Sequence, residues 1–232
     1  MDLMRANNLQ LPSPLGKVQG SLIEKKFMSK PHLRNIFGIT VLKNSHPDIR
    51  LIKREVGSAS IHGNKFWNST ALLIDYLRQA PPKKNWRILE VGCGWGISGI
   101  YCARYFKSKV TALDADATVF NFLQYHAMLN GVCITTNKTR YEKLTVAMLS
   151  EFDMLIGSDI CFWDNLSILL FNLIRRADRA GVKRVLITDP GRPPFRNMAK
   201  QCAEKFDALY DNWSVPHPYN TSGLVLDLAL SN

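Results

Sequence analysis

The chain has 232 residues, 46% hydrophobic, 21% charged and 10% aromatic, a composition that excludes a disordered polymer and can bury one sizeable core. Five cysteines with no Cys-x-x-Cys pair, and no apolar run of bilayer length, exclude a disulfide scaffold, a zinc knuckle of that spacing and a membrane span. Thirty Lys and Arg against nineteen Asp and Glu give a net charge of +11. Residues 1–87 carry fifteen basic and five acidic side chains, while residues 88–232 carry fifteen and fourteen. The excess positive charge therefore belongs to the N-terminal third, where it points to an acidic or polyanionic partner and says nothing about fold. The opening MDLMRANNLQLPSP lacks an apolar core of signal-peptide length, so a reducing, cytoplasmic setting with mostly buried thiols is expected, and no metal site.

In chain order, the first thirty residues carry too little pattern to assign. The run FGITVLKNSHPDIRLIKRE reads as two strands around a turn at residues 44–48, which makes residues 1–65 a basic extension with a β-hairpin. FWNSTALLIDYL, residues 66–77, has the apolar spacing of a helix packed on a sheet and opens a second unit spanning 66–232. From there strand-like runs at 87–92, 109–115, 133–138, 152–159 and 182–188 alternate with helical patterns at 97–106, 117–130, 144–150, 165–180 and 195–206. That alternation predicts βαβ units and a parallel sheet. Gly131 and Gly181 follow two of the helices, where a left-handed cap residue is favoured. ALYDNWSVPH and GLVLDLAL, around the turn-rich PYNTSG, read as a hairpin returning the chain antiparallel. The expected fold is α/β, a Rossmann-like doubly wound sheet of about seven strands with a C-terminal antiparallel hairpin and a short β-rich extension before it.

The strongest local signal is ILEVGCGWGISGI, a strand running into Gly92, Gly94 and Gly96 and then a helix. Such a loop brings backbone close to a ligand and aims helix N–H groups at it. The dinucleotide fingerprint would need its third glycine at position 97, where this chain has Ile97, so a nicotinamide or flavin reading is disfavoured. Glu90 lies two positions before the loop, and Asp114 ends the second strand of the series, where a carboxylate can accept both hydroxyls of a ribose. Glu90, the Gly-x-Gly-x-Gly loop and Asp114 together resemble the first two motifs of the class I, seven-strand S-adenosylmethionine-dependent methyltransferases. The resemblance covers nearly everything from residue 66 onward. It implies S-adenosyl-L-methionine as cofactor and S-adenosyl-L-homocysteine as product. It further implies Glu90 near the methionine end, Gly92, Gly94 and Gly96 cradling the cofactor, Asp114 on the ribose, Ala115 and Asp116 flanking the adenine, and Glu142 as a weaker candidate beyond the third strand.

Ligands of open parallel sheets bind at the carboxyl ends of the strands, which directs attention to GSDICFWD after the fourth strand of the series. The proline-containing tetrad of exocyclic-amine nucleic-acid methyltransferases is missing from this position. The residues from Asp159 to Phe162 instead resemble the acidic-x-x-aromatic signature of the seven-strand protein lysine methyltransferases. Trp67 ahead of the sheet fits the same group, and Asp189-Pro190-Gly191-Arg192 is similar to the branch that modifies the electron-transfer flavoprotein β subunit. That family usually carries Tyr at the position of Phe162, so no step requiring a phenolic hydroxyl is assigned there. The implied reaction is an in-line displacement at a sulfonium methyl by a lysine amine, with Asp159 binding the ammonium and positioning the amine, and with Phe162 and Trp67 excluding water. Arg192 would repel a lysine unless it is turned to a partner. Ser158 and Trp67 are counted with the cofactor site and Asp159, Phe162 and Arg192 with the acceptor. A protein partner with an acidic surface is expected. The alternatives are a small-molecule or RNA methyltransferase, for which the basic segment would supply phosphate affinity, and a non-catalytic module that binds the cofactor. His62 and His126 are weaker candidates, since a lone histidine is more often structural.

Overall fold

A computed structural model describes residues 32–56 and 67–230. His62 lies outside the described residues. Strands β1 (Leu33–Ile36) and β2 (Ile39–Leu42) form an antiparallel pair and are followed by helix α1 (Pro47–Val56). Helix α2 (Ser69–Gln79) then leads into β3 (Arg87–Val91), α3 (Ile97–Phe106), β4 (Lys109–Asp114), α4 (Val119–Leu129) and β5 (Thr135–Lys138). The second half runs α5 (Val146–Leu149), β6 (Met154–Ser158), α6 (Asp164–Arg179), β7 (Arg184–Asp189), α7 (Pro193–Phe206), β8 (Leu209–Val215) and β9 (Thr221–Ala229).

The large sheet has the order β5-β4-β3-β6-β7-β9-β8, parallel through β7 and antiparallel for the last two strands. Consecutive apolar residues on the central strands point to opposite faces. Ile88, Ile156 and Leu186 join one buried cluster, and Leu89, Leu155 and Val185 the other. Both faces are thus covered, which is why these strands read as continuous apolar runs rather than alternating ones. Gly131 and Gly181 sit at φ 66° and 78° after α4 and α6, the backbone region expected of the residue that stops a helix. Among the described residues no helix is long and apolar enough to cross a membrane.

The N-terminal segment corrects the expected hairpin. Its turn is Phe37–Gly38, whereas the second expected strand, residues 49–55, lies within helix α1. Pro47 starts this helix, Asp48 lies in its first turn and Lys53 and Arg54 in its last, all favourable to the helix dipole. Ile49, Ile52 and Val56, at helical spacing, join the first cluster. The charge and proline pattern outweighed the alternation of apolar residues.

Side chains of α4 bind the β1–β2 pair. Asn130 Oδ1 accepts from Thr40 N–H at 2.8 Å and its Nδ2 donates to the Thr40 carbonyl at 2.9 Å. One turn earlier His126 Nε2 accepts from Leu42 N–H at 3.1 Å, while Nδ1 faces the Phe122 carbonyl at 2.7 Å. A carbonyl only accepts, so the ring proton is on Nδ1 and the imidazole is neutral. Burial pushes the His126 pKa down to about 4. His126 is therefore structural. It stacks at 5.1 Å on Trp95 of the glycine loop and so joins the hairpin to the site. Asn130→Ala strips two partners from Thr40 and should cost about 1–3 kcal/mol, seen as a lower urea midpoint; an unchanged midpoint would show that these bonds do not hold the hairpin.

Candidate active site

β3 ends in the loop Gly92–Gly96, whose three glycines have φ of 61°, 51° and 67°. Any other residue would be strained there. A Cβ on Gly94 would meet nothing within 4 Å, because its backbone borders an open cleft. Asp114, at the tip of neighbouring β4, accepts Gly94 N–H on Oδ2 at 3.1 Å and Asp116 N–H on Oδ1 at 3.0 Å. Burial raises the Asp114 pKa, against the pull of these two N–H donors.

On the other side of β3, the tip of β6 carries Ser158 and Asp159. Asp159 adopts φ 60° and donates its N–H to the Thr188 carbonyl at 2.8 Å. The first turn of α2 packs on this tip: Ser69 Oγ donates to Asp159 Oδ2 at 3.1 Å, and Thr70 Oγ1 lies 3.3 Å from Ser158 Oγ. Thr188 Oγ1 in turn donates to the Ser69 carbonyl at 2.9 Å. Beyond β7, Asp189 accepts from the N–H groups of Gly191 and Arg192 at 2.9 and 2.8 Å and from Arg192 Nη1 at 2.8 Å. The same Nη1 pairs with Asp159 Oδ1. Burial pushes the Asp189 carboxyl above the usual range. For Arg192 burial acts downward, but the two carboxylates outweigh it and raise its pKa further. Its guanidinium lies 4.5 Å from the Phe162 ring centre, and Phe162 meets Trp67 edge-on at 5.8 Å.

These pieces surround a cleft of about 370 Å³, within the range of small-molecule sites. Of the residues singled out in the sequence, Gly92, Gly94, Gly96, Asp114, Ala115 and Glu142 line one part of it. Trp67, Ser158, Asp159 and Phe162 line the rest. Three others are placed differently. Glu90 is buried behind the loop, where its Oε2 accepts the Gly99 N–H at 3.1 Å. Asp116 turns to Thr118, taking its N–H at 2.9 Å and its hydroxyl at 2.6 Å at the start of α4. Arg192 reaches the cleft wall through its contacts with Asp159 and Phe162. Sequence reasoning missed Ser69 and Thr70, and it named Asp189 within the Asp189–Arg192 motif without giving it a place in the site. The first two had a weak signal, a hydroxyl pair opening an otherwise apolar helix.

Strand order, glycine loop and acidic strand tips define a seven-strand S-adenosylmethionine-dependent methyltransferase. The profile of the lysine methyltransferase family matches residues 44–197, and the chain belongs to that family. It is 35% identical over 88 residues to the protein N-terminal and lysine N-methyltransferase of Cryptococcus neoformans, covering 36% of this chain and 29% of that one. It is 31% identical over 120 residues to the histidine protein methyltransferase 1 homolog of Dictyostelium discoideum, covering 48% and 38%. The chain thus spans well under half the length of these relatives. The fold is similar to the Pyrococcus abyssi tRNA (uracil-54, C5)-methyltransferase in complex with S-adenosyl-L-homocysteine, with TM-score 0.55 and 16% identity over 84% of this chain and 43% of that one. Precorrin-6y C5,15-methyltransferase from Geobacter metallireducens gives TM-score 0.56 and 12% identity over 77% and 95%.

S-adenosylmethionine is the cofactor of this family, and the cleft suits it. Apolar Trp95, Ile97 and Leu113 line it beside the carboxylates of Asp114 and Glu142, a combination that matches an adenosine bearing hydroxyls and an ammonium group.

Glu90 offers a direct test of the loop. Burial pushes its carboxyl from 4.5 up to about 8, against the Gly99 N–H. The folded state therefore holds a proton that the unfolded state has released, and stability falls as pH rises from about 4.5 to about 8. Glu90→Gln should keep the Gly99 contact and flatten that slope in urea titrations of the apoprotein; an unaltered slope would assign the pH dependence to other groups.

Proposed function

We propose that this protein methylates a protein side chain and that the acceptor is lysine. The observation that carries the reading is the joining of Asp159, Phe162 and Trp67 to the wall of the cofactor cleft, with two buried carboxylates sharing one guanidinium beside them. The formal charge of that trio is −1, so Arg192 is neutralised and the mouth keeps an attraction for an incoming ammonium. The names of both relatives specify protein methyltransferases, one at lysine and N-terminal groups and the other at histidine. No disulfide ties the five cysteines, in keeping with a cytoplasmic site of action.

When bound, S-adenosylmethionine would supply an electrophilic methyl carbon on its sulfonium: a neutral amine, its proton already passed to solvent, would form the N–C bond in line as the C–S bond breaks and S-adenosylhomocysteine leaves as the neutral thioether. Asp114 would accept the ribose hydroxyls, Gly92, Gly94 and Gly96 would admit the cofactor to the backbone, and Ala115 and Glu142 would border the adenine. Asp116 supports the turn after Asp114, and Glu90 supports the loop from behind. A lysine enters as ammonium, with a reference pKa of about 10.4, and must lose its proton before it attacks. Asp159 is held by Ser69 and Arg192, so its part is to orient the amine at a fixed point of negative charge. Phe162 and Trp67 exclude water and present ring faces to the cation. Orientation of this kind is worth roughly 7–11 kcal/mol in well-aligned cases.

Radiolabelled methyl transfer to a lysate, with nuclease and protease arms followed by mass spectrometry of the labelled residue, tests the reading. Label in lysine that survives nuclease supports it, and label in RNA or a small molecule overturns it. Asp114→Ala should weaken cofactor binding by about 10- to 100-fold, for the loss of roughly 1.5–3 kcal/mol of charged hydrogen bonding, and calorimetry reads this directly. Asp159→Ala should leave that binding largely intact and lower turnover by about 10²-fold, the scale of a misplaced acceptor; equal turnover would remove Asp159 from the acceptor site.

A further inference from the structure

A second cleft, of about 360 Å³, lies against the same turn of α2 that closes the first. Trp67 and Thr70 face the cofactor cleft, and Asn68 and Ala71 face this one. Its polar lining consists of Arg34 and Asn35 of the hairpin, Lys43 just beyond it, Asn68, and Tyr219 and Thr221 at the turn between β8 and β9. No carboxylate lines it among the described residues. Asn35 Oδ1 already accepts Gly38 N–H at 2.8 Å, which leaves its NH₂ group to donate. Tyr219 accepts Phe37 N–H at 2.8 Å and stacks on that ring at 4.1 Å, so its hydroxyl is fixed at the edge of the cleft with its own hydrogen to give. Two cations and a ring of donors over a partly apolar floor are what one or two carboxylates require.

We infer that this cleft docks an acidic segment of the protein acceptor, an inference that rests on the protein-lysine reading above. A helix with its side chains is about 10–12 Å across, a distance that three or four residues of extended chain cover at roughly 3.3–3.6 Å each. Because Trp67 and Thr70 line one cleft and their chain neighbours Asn68 and Ala71 the other, an Asp or Glu seated at Arg34 and Lys43 would set a lysine within about four residues of it at the mouth beside Trp67. Nucleic acid fits this cleft less well, because polyanion affinity comes from tracking many phosphates, roughly six to ten for a typical site, and here only two cations line the cleft among the described residues. Two cations of the basic N-terminal third, Arg34 and Lys43, are brought to this cleft by the docking of β2 on Asn130 and His126.

The test uses the full chain and a fluorescein-labelled peptide with one central lysine flanked by glutamates. A glutamine-flanked version and an oligouridylate of equal length are the controls. Binding is followed by anisotropy. The glutamate peptide should bind more tightly than the glutamine one and lose affinity between about 50 and 200 mM salt. The double variant Arg34→Gln, Lys43→Gln should weaken it about tenfold or more, whereas Arg54→Gln, on the exposed face of α1, should not. Calorimetric S-adenosylmethionine affinity, unchanged in all variants, shows that they are folded. Equal peptide affinity in wild type and double variant overturns the inference, as does failure of the glutamate peptide to bind. Tighter oligouridylate binding with the same variant sensitivity overturns it in favour of a nucleic acid. If no lysine is ever methylated while peptide binding remains sensitive to the double variant, the enzymatic reading fails and the docking cleft stands, so the two failures are read apart.

Discussion

The site depends on the pairing of β3 with β4 along one edge and β6 along the other. Both pairings are parallel, so the carboxyl ends of all three strands emerge on the same side, and the strand order reverses about β3. A reversal of this kind sends successive helices to opposite faces and opens a crevice above the strand ends. Gly92–Gly96, Asp114 and Ser158-Asp159 are neighbours for that reason alone, although as many as 67 positions separate them. The Gly94 N–H to Asp114 bond and the Asp159 N–H to Thr188 bond are local consequences of the register.

Electrostatics then divides the crevice. One half is lined by the carboxylates of Asp114 and Glu142 beside apolar walls, and the other by Trp67, Ser158, Asp159 and Phe162, with a guanidinium held between Asp159 and Asp189 against the Phe162 ring. Burying Asp159 and Asp189 is costly unless charge and hydrogen bonds compensate. Arg192, Ser69 and two backbone N–H groups provide that compensation. Read from the linear sequence, Arg192 looked like an obstacle to a cationic substrate. Placed over Phe162 and between two carboxylates it is part of the wall.

The N-terminal hairpin is attached by a different means. Strand β2 leaves the backbone groups of Thr40 and Leu42 to be satisfied, and side chains one turn apart on α4 satisfy them. His126 does this only in its neutral form, and its stacking on Trp95 places the hairpin in contact with the cofactor loop. The acidic Asp48 of α1 adds a further tie by accepting the Tyr125 hydroxyl at 2.5 Å.

Much of this was legible in the residues. Apolar periodicity predicted the parallel strands, the helices between them and the terminal hairpin, because each of those elements buries a continuous or repeating apolar surface. The glycine spacing and Asp114 pointed to residues that line the cleft, since backbone conformation and strand-end carboxylates are local properties. Residues 49–55 were misread as strand: alternating apolar residues are compatible with both periods, and the cap signals at Pro47, Asp48, Lys53 and Arg54 were the better guide. The positions of Glu90 and Asp116 off the cleft, the sharing of Arg192, and the roles of Ser69, Thr70 and Asp189 were decided only in three dimensions. Each is settled by contacts between segments brought together by the sheet, and the partner of a buried charge or hydroxyl is a fact of packing that neighbouring residues in the chain do not encode.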